Sequence, residues 1–254
     1  MRKFAELNRE QLRAAAAENP LVVLPIGATE QHGPHLPTGT DWFTIDAVAT
    51  ESARIASAEV PVIVTPALPF GSSHHHFVFG GTLSLSTETY YRVLRELVES
   101  LIKDGFRSIF VLNGHGGNHE LAELAARDIA LQNEANCAAG SYWAIAWDAL
   151  VASGEHRGRR LPGHAGDFET SMMMALRPDL RPGPLPHRDN VGDSSPVRVA
   201  PFRAEVHGFW KSIDGYTDSP DQATPETGQR LFRIVTEAVA QALVSTARAW
   251  SALK

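Results

Sequence analysis

The sequence is short of cysteine. Cys137 is the only one among 254 residues, so neither an internal disulfide nor a zinc-binding cluster of thiolates can form within the chain. Any bound metal ion must therefore take its ligands from the 11 histidines and from carboxylate side chains.

The sequence also lacks an excess of positive charge and long apolar runs. Its net charge of -6 at pH 7 argues against a broad basic surface, so we expect neither nucleic acid nor a membrane as a partner. No apolar run reaches the length of a transmembrane helix, and residues 1–12 lack the apolar core of a signal peptide. These absences predict a cytoplasmic protein.

The chain does have the composition of an ordinary globular protein, with 43% hydrophobic and 20% charged residues. Its length fits one large domain spanning 1–254. Apolar runs alternate with segments of helical period, which predicts an α/β fold, with loops at 150–162 and 177–203. We predict strands at 21–26, 60–66, 108–113 and 138–147, and helices at 8–18, 42–58, 87–105, 118–133 and from 224 to about 250.

The segment 21–46 gathers polar groups directly after the first predicted strand. Glu30 and His32 are two residues apart in an extended stretch, so their side chains point to the same side. Asp41 follows after a loop, at the start of a predicted helix. This set of oxygen and nitrogen donors suits zinc, manganese or iron. An ion pair of Glu30 with His32, and a helix-capping Asp41, are the simpler alternatives.

Two later segments carry similar groups. His115 lies in a glycine-rich turn between a strand and a helix, where ligand sites form in parallel sheets. The turn matches neither dinucleotide-binding nor phosphate-binding glycine motifs. His164 and Glu169 flank a glycine at the start of another helix, where Glu169 could also serve only to stabilise the helix dipole.

Four separated segments together resemble the creatininase (creatinine amidohydrolase) family. They are E-Q-H-G-P-H-L-P followed by Asp41, N-G-H-G-G-N around His115, H-A-G-x-x-E-T-S from His164, and F-x-G-T at 79–82. The resemblance implies a three-layer α/β/α fold with a mostly parallel central sheet, assembled as a homohexamer. It also implies two divalent metal ions per chain and hydrolysis of a C–N bond in a small amide.

The resemblance further implies which residues hold the metals, with one carboxylate shared between them. Creatininase takes one ligand from a glutamate two residues after the turn histidine, where this chain has Gly117. We assign that place to Glu169. The first metal is then assigned to Glu30, Asp41 and His115, and the second to His32, Asp41 and Glu169.

Other roles follow from the same resemblance. His164 matches a histidine with the acid/base role, and its alternative is to orient a ligating carboxylate. His76 matches a loop histidine of the family, which suggests a substrate contact, although three adjacent histidines can also be a plain polar loop. Trp143 lies in a region where creatininase uses tryptophan to hold its flat substrate, and Trp210 lies in an irregular stretch that we could not place.

The charges of the three carboxylates independently favour two divalent metal ions. Three converging carboxylates would repel one another and raise their own pKa values, whereas two divalent ions outweigh them by one charge and leave room for a hydroxide. The alternatives left open are a formamide hydrolase or a peptidase of the same family, and a non-catalytic metal-binding scaffold.

Overall fold

The computed structural model describes residues 1–156, 161–180, 182–188, 198–199, 202–203 and 206–252. Its strands are β1 Arg2–Lys3, β2 Leu21–Ile26, β3 Val62–Val64, β4 Ser108–Asn113, β5 Asn136–Ser141, β6 Arg198–Val199 and β7 Phe202–Arg203. The first five form one parallel sheet in the order β1-β3-β2-β4-β5, and β6 and β7 form a separate antiparallel pair.

Helices connect these strands and follow them. None within the described ranges combines the length and the apolar character needed to cross a bilayer. The helices are α1 Arg9–Ala17, α2 Thr40–Ala56, α3 Thr87–Lys103, α4 His119–Gln132, α5 Tyr142–Ile145, α6 Trp147–Ser153, α7 Asp167–Leu176, α8 Phe209–Ser212 and α9 Pro225–Ala252.

A hydrophobic cluster covers each face of the sheet. Successive side chains of a strand point to opposite faces, and β2 follows this rule, with Val23 in one cluster and Val22 in the other. The first cluster draws its helical side chains mainly from α2, α7 and α9, and the second from α1, α3 and α4. This confirms the predicted three-layer α/β/α arrangement around a parallel sheet.

Two central strands end side by side. Ile26 at the end of β2 pairs with Asn113 at the end of β4, so the loops that follow them leave the same edge of the sheet. A Cβ atom at Gly27 would lie only 2.7 Å from Trp42 Cα, closer than atoms can pack. Glycine here therefore lets the first turn of α2, with Asp41, press against the edge where the loops begin.

The strand predicted at 138–147 is wrong beyond residue 141, where β5 ends and the chain continues as α5 and α6. Tyr142, Trp143, Ala146 and Leu150 are buried, and their spacing is that of one helix face. A short apolar run fits a strand or a helix equally well, and here packing decides.

The first residues of the loop predicted at 150–162 belong to α6, which ends at Ser153. Parts of that loop and of 177–203 fall outside the described residues.

We predict that Gly228→Ala destabilises the protein. Gly228 in α9 packs so tightly on α7 that an added Cβ would lie 1.8 Å from Ser171 O. Overpacking costs ~1–3 kcal/mol or more, and the gain in helix propensity of ~1 kcal/mol offsets only part of it. Urea denaturation should show a lower unfolding free energy for Gly228→Ala than for Gln229→Ala at the exposed neighbouring position. Equal stability of the two variants would contradict this packing.

Candidate metal centre

Asp41 is the residue on which the site converges. Its Oδ1 lies 3.0 Å from His32 Nε2, and its Oδ2 lies 2.9 Å from His115 Nδ1. The two oxygens of one carboxylate thus face two different imidazoles. Asp41 does not cap α2, since the helix begins at Thr40 with Gly39 as its N-cap residue. The capping alternative is therefore wrong.

Glu30 lies at the centre of a ring of histidines. Its Oε1 is 3.3 Å from His115 Nδ1, 3.5 Å from His76 Nε2 and 3.5 Å from His164 Nδ1. Glu30 is fully buried, and neither of its carboxylate oxygens has a hydrogen-bond partner among the described residues. Its surroundings are thus a group of imidazoles, and not a simple pair with His32.

The hydrogen bonds of two histidines fix which nitrogen faces the carboxylates. His32 Nδ1 lies 3.0 Å from the carbonyl oxygen of Glu30. Because a carbonyl can only accept, Nδ1 carries the hydrogen of a neutral ring and Nε2 turns its lone pair toward Asp41. His115 has the opposite arrangement: its Nε2 lies 3.2 Å from the carbonyl oxygen of Ser72, which leaves the lone pair on Nδ1. Such outer hydrogen bonds commonly orient metal-binding imidazoles.

Glu169 completes the second group, in the first turn of α7. Its Oε2 lies 3.7 Å from His32 Nε2 and accepts a 2.6 Å hydrogen bond from the backbone N–H of Ala165. This bond satisfies a backbone donor just before the helix, which agrees with a stabilising role at the helix start. The ligand role of Glu169 stays a prediction. Burial, aided by the nearby Asp41 charge and opposed by His32, raises the pKa of Glu169 to about 8.

The residues fit divalent metal ions. Asp41 Oδ2 is close to an imidazole nitrogen, yet it makes no hydrogen bond within the described part of the chain. Close contact without hydrogen-bonding geometry is what two lone pairs aimed at one cation produce. Possible ligand atoms lie within 4.8 Å of one another in three groups: Glu30, His75 and His115; His32, Asp41 and Glu169; and Glu30, His32 and His164.

Without bound metal, positively charged histidines oppose the negative charges of the buried carboxylates. Burial alone would raise the pKa of Glu30, but His115, His76 and His164 hold it well below its usual range. Burial would lower the pKa of His32, but Asp41, with help from Glu169 and Glu30, raises it to about 10. A proton on His32 thus partly neutralises the carboxylates when no metal is bound.

His164 lies next to this cluster, and its imidazole ring is neutral. Its ring stacks on that of His76 and is tilted by 34° to that of His32, with centroids 4.3 Å away in both cases. Its Nε2 lies 2.9 Å from the carbonyl oxygen of Gln31, so Nδ1 presents the lone pair toward Glu30. Burial, together with His32 and His76, holds the pKa of His164 well below its usual range. The ring is therefore an unprotonated base.

Gln31, which the sequence analysis did not single out, organises the neighbouring histidine. Its amide N–H groups lie 2.8 Å from His76 Nδ1 and 2.9 Å from the carbonyl oxygen of Gly215. His76 Nδ1 must then accept, so its hydrogen is on Nε2, an atom without a hydrogen-bond partner among the described residues. His76 is thus a buried donor aimed into the site.

The aromatic residue at the site is Trp210 in α8. Its ring lies 4.6 Å from that of His76 and 5.4 Å from that of His164, centroid to centroid. Trp143, the predicted substrate contact, instead packs in the hydrophobic cluster with α2 and α9 and lines a separate pocket with His119 and Trp147. A substrate role for Trp143 stays a prediction. No periodic pattern marked Trp210, because it lies in a short helix within an irregular region.

Comparison with known proteins gives a consistent picture. The sequence profile described as "Creatininase: Creatinine amidohydrolase" matches residues 5–243. The chain is 33% identical over 222 residues to the mycofactocin precursor peptide peptidase of Mycobacterium tuberculosis, covering 84% of this chain and 80% of that one. It is 27% identical over 252 residues to the creatinine amidohydrolase of Pseudomonas putida, covering 92% and 93%.

Solved structures agree on the fold. A crystal structure of creatinine amidohydrolase superimposes with a TM-score of 0.75 at 26% identity, covering 94% of this chain and 95% of that one. A structure described as a mutant creatininase of Zn-Zn type gives a TM-score of 0.74 at 26% identity, covering 94% and 96%. A creatininase structure described with Mn gives 0.72 at 26% identity, with the same coverage.

We predict that metal binding releases protons. In the metal-free chain His32, with its pKa raised to about 10, and Glu169, with its pKa raised to about 8, both hold protons at pH 7. A metal ion must displace them, so affinity should rise with pH toward these values. Titration calorimetry with zinc in buffers of different ionisation enthalpy should give a heat that depends on the buffer. The release should be smaller for His32→Gln, and buffer-independent heat would contradict the prediction.

Proposed function

The chain belongs to the creatininase family of metal-dependent amidohydrolases, and we propose that it hydrolyses an amide C–N bond at a site for two divalent metal ions. The observation that carries the proposal is the carboxylate of Asp41, whose two oxygens face His32 Nε2 and His115 Nδ1. Each imidazole is held by a backbone carbonyl with its lone pair toward that carboxylate. One shared carboxylate between two such imidazoles is the arrangement of a dinuclear centre.

The proposed metal ligands are four residues that the family resemblance implies, together with Glu169, which takes the place of the missing glutamate at Gly117. Metals bound there would polarise the amide carbonyl and make bound water a stronger acid. Nitrogen and oxygen donors without thiolate suit zinc, manganese or iron. The first metal is assigned to Glu30, Asp41 and His115, and the second to His32, Asp41 and Glu169.

His164 acts as the general acid and base of the reaction. Its Nε2–H is held by the carbonyl oxygen of Gln31, and its Nδ1 lone pair faces the carboxylate of Glu30 across 3.5 Å. Because its lowered pKa keeps the ring neutral, Nδ1 can take a proton from the attacking water and pass it to the departing nitrogen. His76, whose Nε2–H is unsatisfied among the described residues, can donate a hydrogen bond to a substrate oxygen.

A small, flat amide is the substrate class that the surroundings favour. The rings of Trp210, His76 and His164 lie within 5.4 Å of one another by their centroids. They form an aromatic wall beside the metal ligands, against which a planar amide can lie. The main metal-facing groups are buried, so the reacting bond must reach into a recess. This arrangement supports cleavage of a small amide, open or cyclic.

A peptide is the second candidate. It is favoured by the 33% identity to peptidases, compared with 27% to a creatinine amidohydrolase. The exposed apolar side chains of Phe77 and Val78, on the turn that also carries His76, offer a surface for residues beyond the cleaved bond. The substrate of a formamide hydrolase differs from these only in its acyl group.

Homohexamer assembly and a cytoplasmic location stay predictions.

We predict that the protein binds two metals per chain and hydrolyses at least one class of amide. Metal analysis of zinc-, manganese- and iron-loaded protein should give about two ions per chain, as a dinuclear site requires. The same samples should be assayed on creatinine, other cyclic amides, formamides and dipeptides, with Asp41→Asn as the inactive control. Two metals without turnover on any substrate would favour a non-catalytic scaffold, and protein that takes up no metal would refute the proposal.

We predict that His164→Ala reduces turnover strongly without removing metal. General acid-base catalysis contributes typically ~10²–10⁴-fold, so kcat should fall by about that factor, while metal content stays near two ions per chain. Added imidazole should restore part of the activity. His207→Ala, at an exposed histidine, is the control. Unchanged turnover would remove His164 from the mechanism, and loss of one metal would make it a ligand instead.

A further inference from the structure

His75, the middle one of the three adjacent histidines, lies beside Glu30 and His115. It belongs to the short 3-10 helix His74–Phe79. Its ring is parallel to that of His115, with centroids 5.9 Å apart and an interplanar angle of 1°. A ligand atom of His75, one of Glu30 and one of His115 lie within 4.8 Å of one another.

This spacing is that of atoms around one metal ion. Two ligands of the same zinc ion, each at about 2.0–2.2 Å, are at most ~4.4 Å apart. A small side-chain adjustment brings a set within 4.8 Å to that separation. Glu30, in the middle of the set, has two buried carboxylate oxygens without a hydrogen-bond partner in the described part of the chain. A cation at this place would satisfy both of these oxygens.

The turn around His115 has no room for a second donor side chain beside the imidazole. A Cβ at Gly117 would lie 2.2 Å from Ser72 O and 2.6 Å from His115 Nε2. No side chain fits at that position, so the glutamate that creatininase has there cannot be accommodated by this backbone. The segment that fills the space continues directly from Ser72 to His75.

The rings of His74 and His75, although adjacent in sequence, point to different places. The ring of His74 packs edge-on against Phe77, 4.8 Å between centroids, whereas His75 turns toward Glu30 and His115. His75 also contacts Trp210, 5.3 Å between centroids. It thus lies between the proposed metal ligands and the aromatic wall.

We propose that His75 is a ligand of the first metal, an inference that rests on the dinuclear site proposed above. The first metal then has four protein ligands, and the second has three. Four protein ligands typically close a zinc site, whereas three leave a position for water or substrate. The two sites are therefore unequal: the first retains its ion more tightly, and the second is where the substrate amide is reached. The first set is Glu30, Asp41, His75 and His115, and the second is His32, Asp41 and Glu169.

The test is metal affinity, measured on the full chain stripped of metal. Zinc titrated against a chromogenic chelator should give two unequal dissociation constants for the wild type. His75→Ala should weaken the tighter one at least tenfold and leave the other unchanged, while His74→Ala should match the wild type. Cobalt added to one equivalent should give the intense visible bands of a four-coordinate site in the wild type, and weaker bands in His75→Ala.

A second variant separates metal binding from folding. His75→Gln keeps a polar side chain of similar length but replaces the imidazole donor, so it should show the same loss as His75→Ala while its circular dichroism matches the wild type. Wild-type affinities and cobalt spectra in both variants would overturn the inference. A wild-type chain that binds fewer than two ions would instead overturn the dinuclear proposal itself, so the two failures are distinguishable.

Discussion

The constraint that governs this molecule is the burial of three carboxylates in one place. Glu30, Asp41 and Glu169 are 0%, 4% and 8% exposed. Buried charge is costly unless it is compensated, and no arginine or lysine supplies the compensation among the contacts of the described residues. Within the described ranges, the groups that approach these oxygens are imidazoles and one backbone N–H. The surroundings are thus built for cations that arrive from outside the chain.

The parallel sheet makes this concentration of charge possible, because it gathers loops from distant parts of the chain at one edge. The loop after β2 brings Glu30 and the loop after β4 brings His115, since both strands end in the same register. Close packing then fixes their distances: a Cβ at Gly114 would lie 2.6 Å from Ile45 Cβ in α2. The stability of the core and the geometry of the site therefore depend on the same contacts.

Much of this was accessible from the sequence, and the failures have physical causes. The residues of the metal centre lie in short segments with strong local signals, a strand followed by a turn and a helix, and the structure brings them together. The roles of Gln31, within the E-Q-H-G-P-H-L-P segment, and of Trp210, in an irregular stretch, do not follow from local pattern, because they arise from contacts across the chain, such as the bond of Gln31 to Gly215. The 142–147 stretch was assigned to a strand because apolarity without period does not distinguish strand from helix.

The surroundings of His164 come from a different part of the chain than the three buried carboxylates. Thr217 bonds to His164 in both directions: its hydroxyl accepts from His164 N and its N–H donates to His164 O. The 208–217 segment, which carries Trp210, is thereby fixed to His164 and, through Gly215, to Gln31. This segment lies outside the four motifs by which the family is recognised. A change in this segment would therefore alter the surroundings of His164 without touching the buried carboxylates, and such separation lets one fold carry different functions.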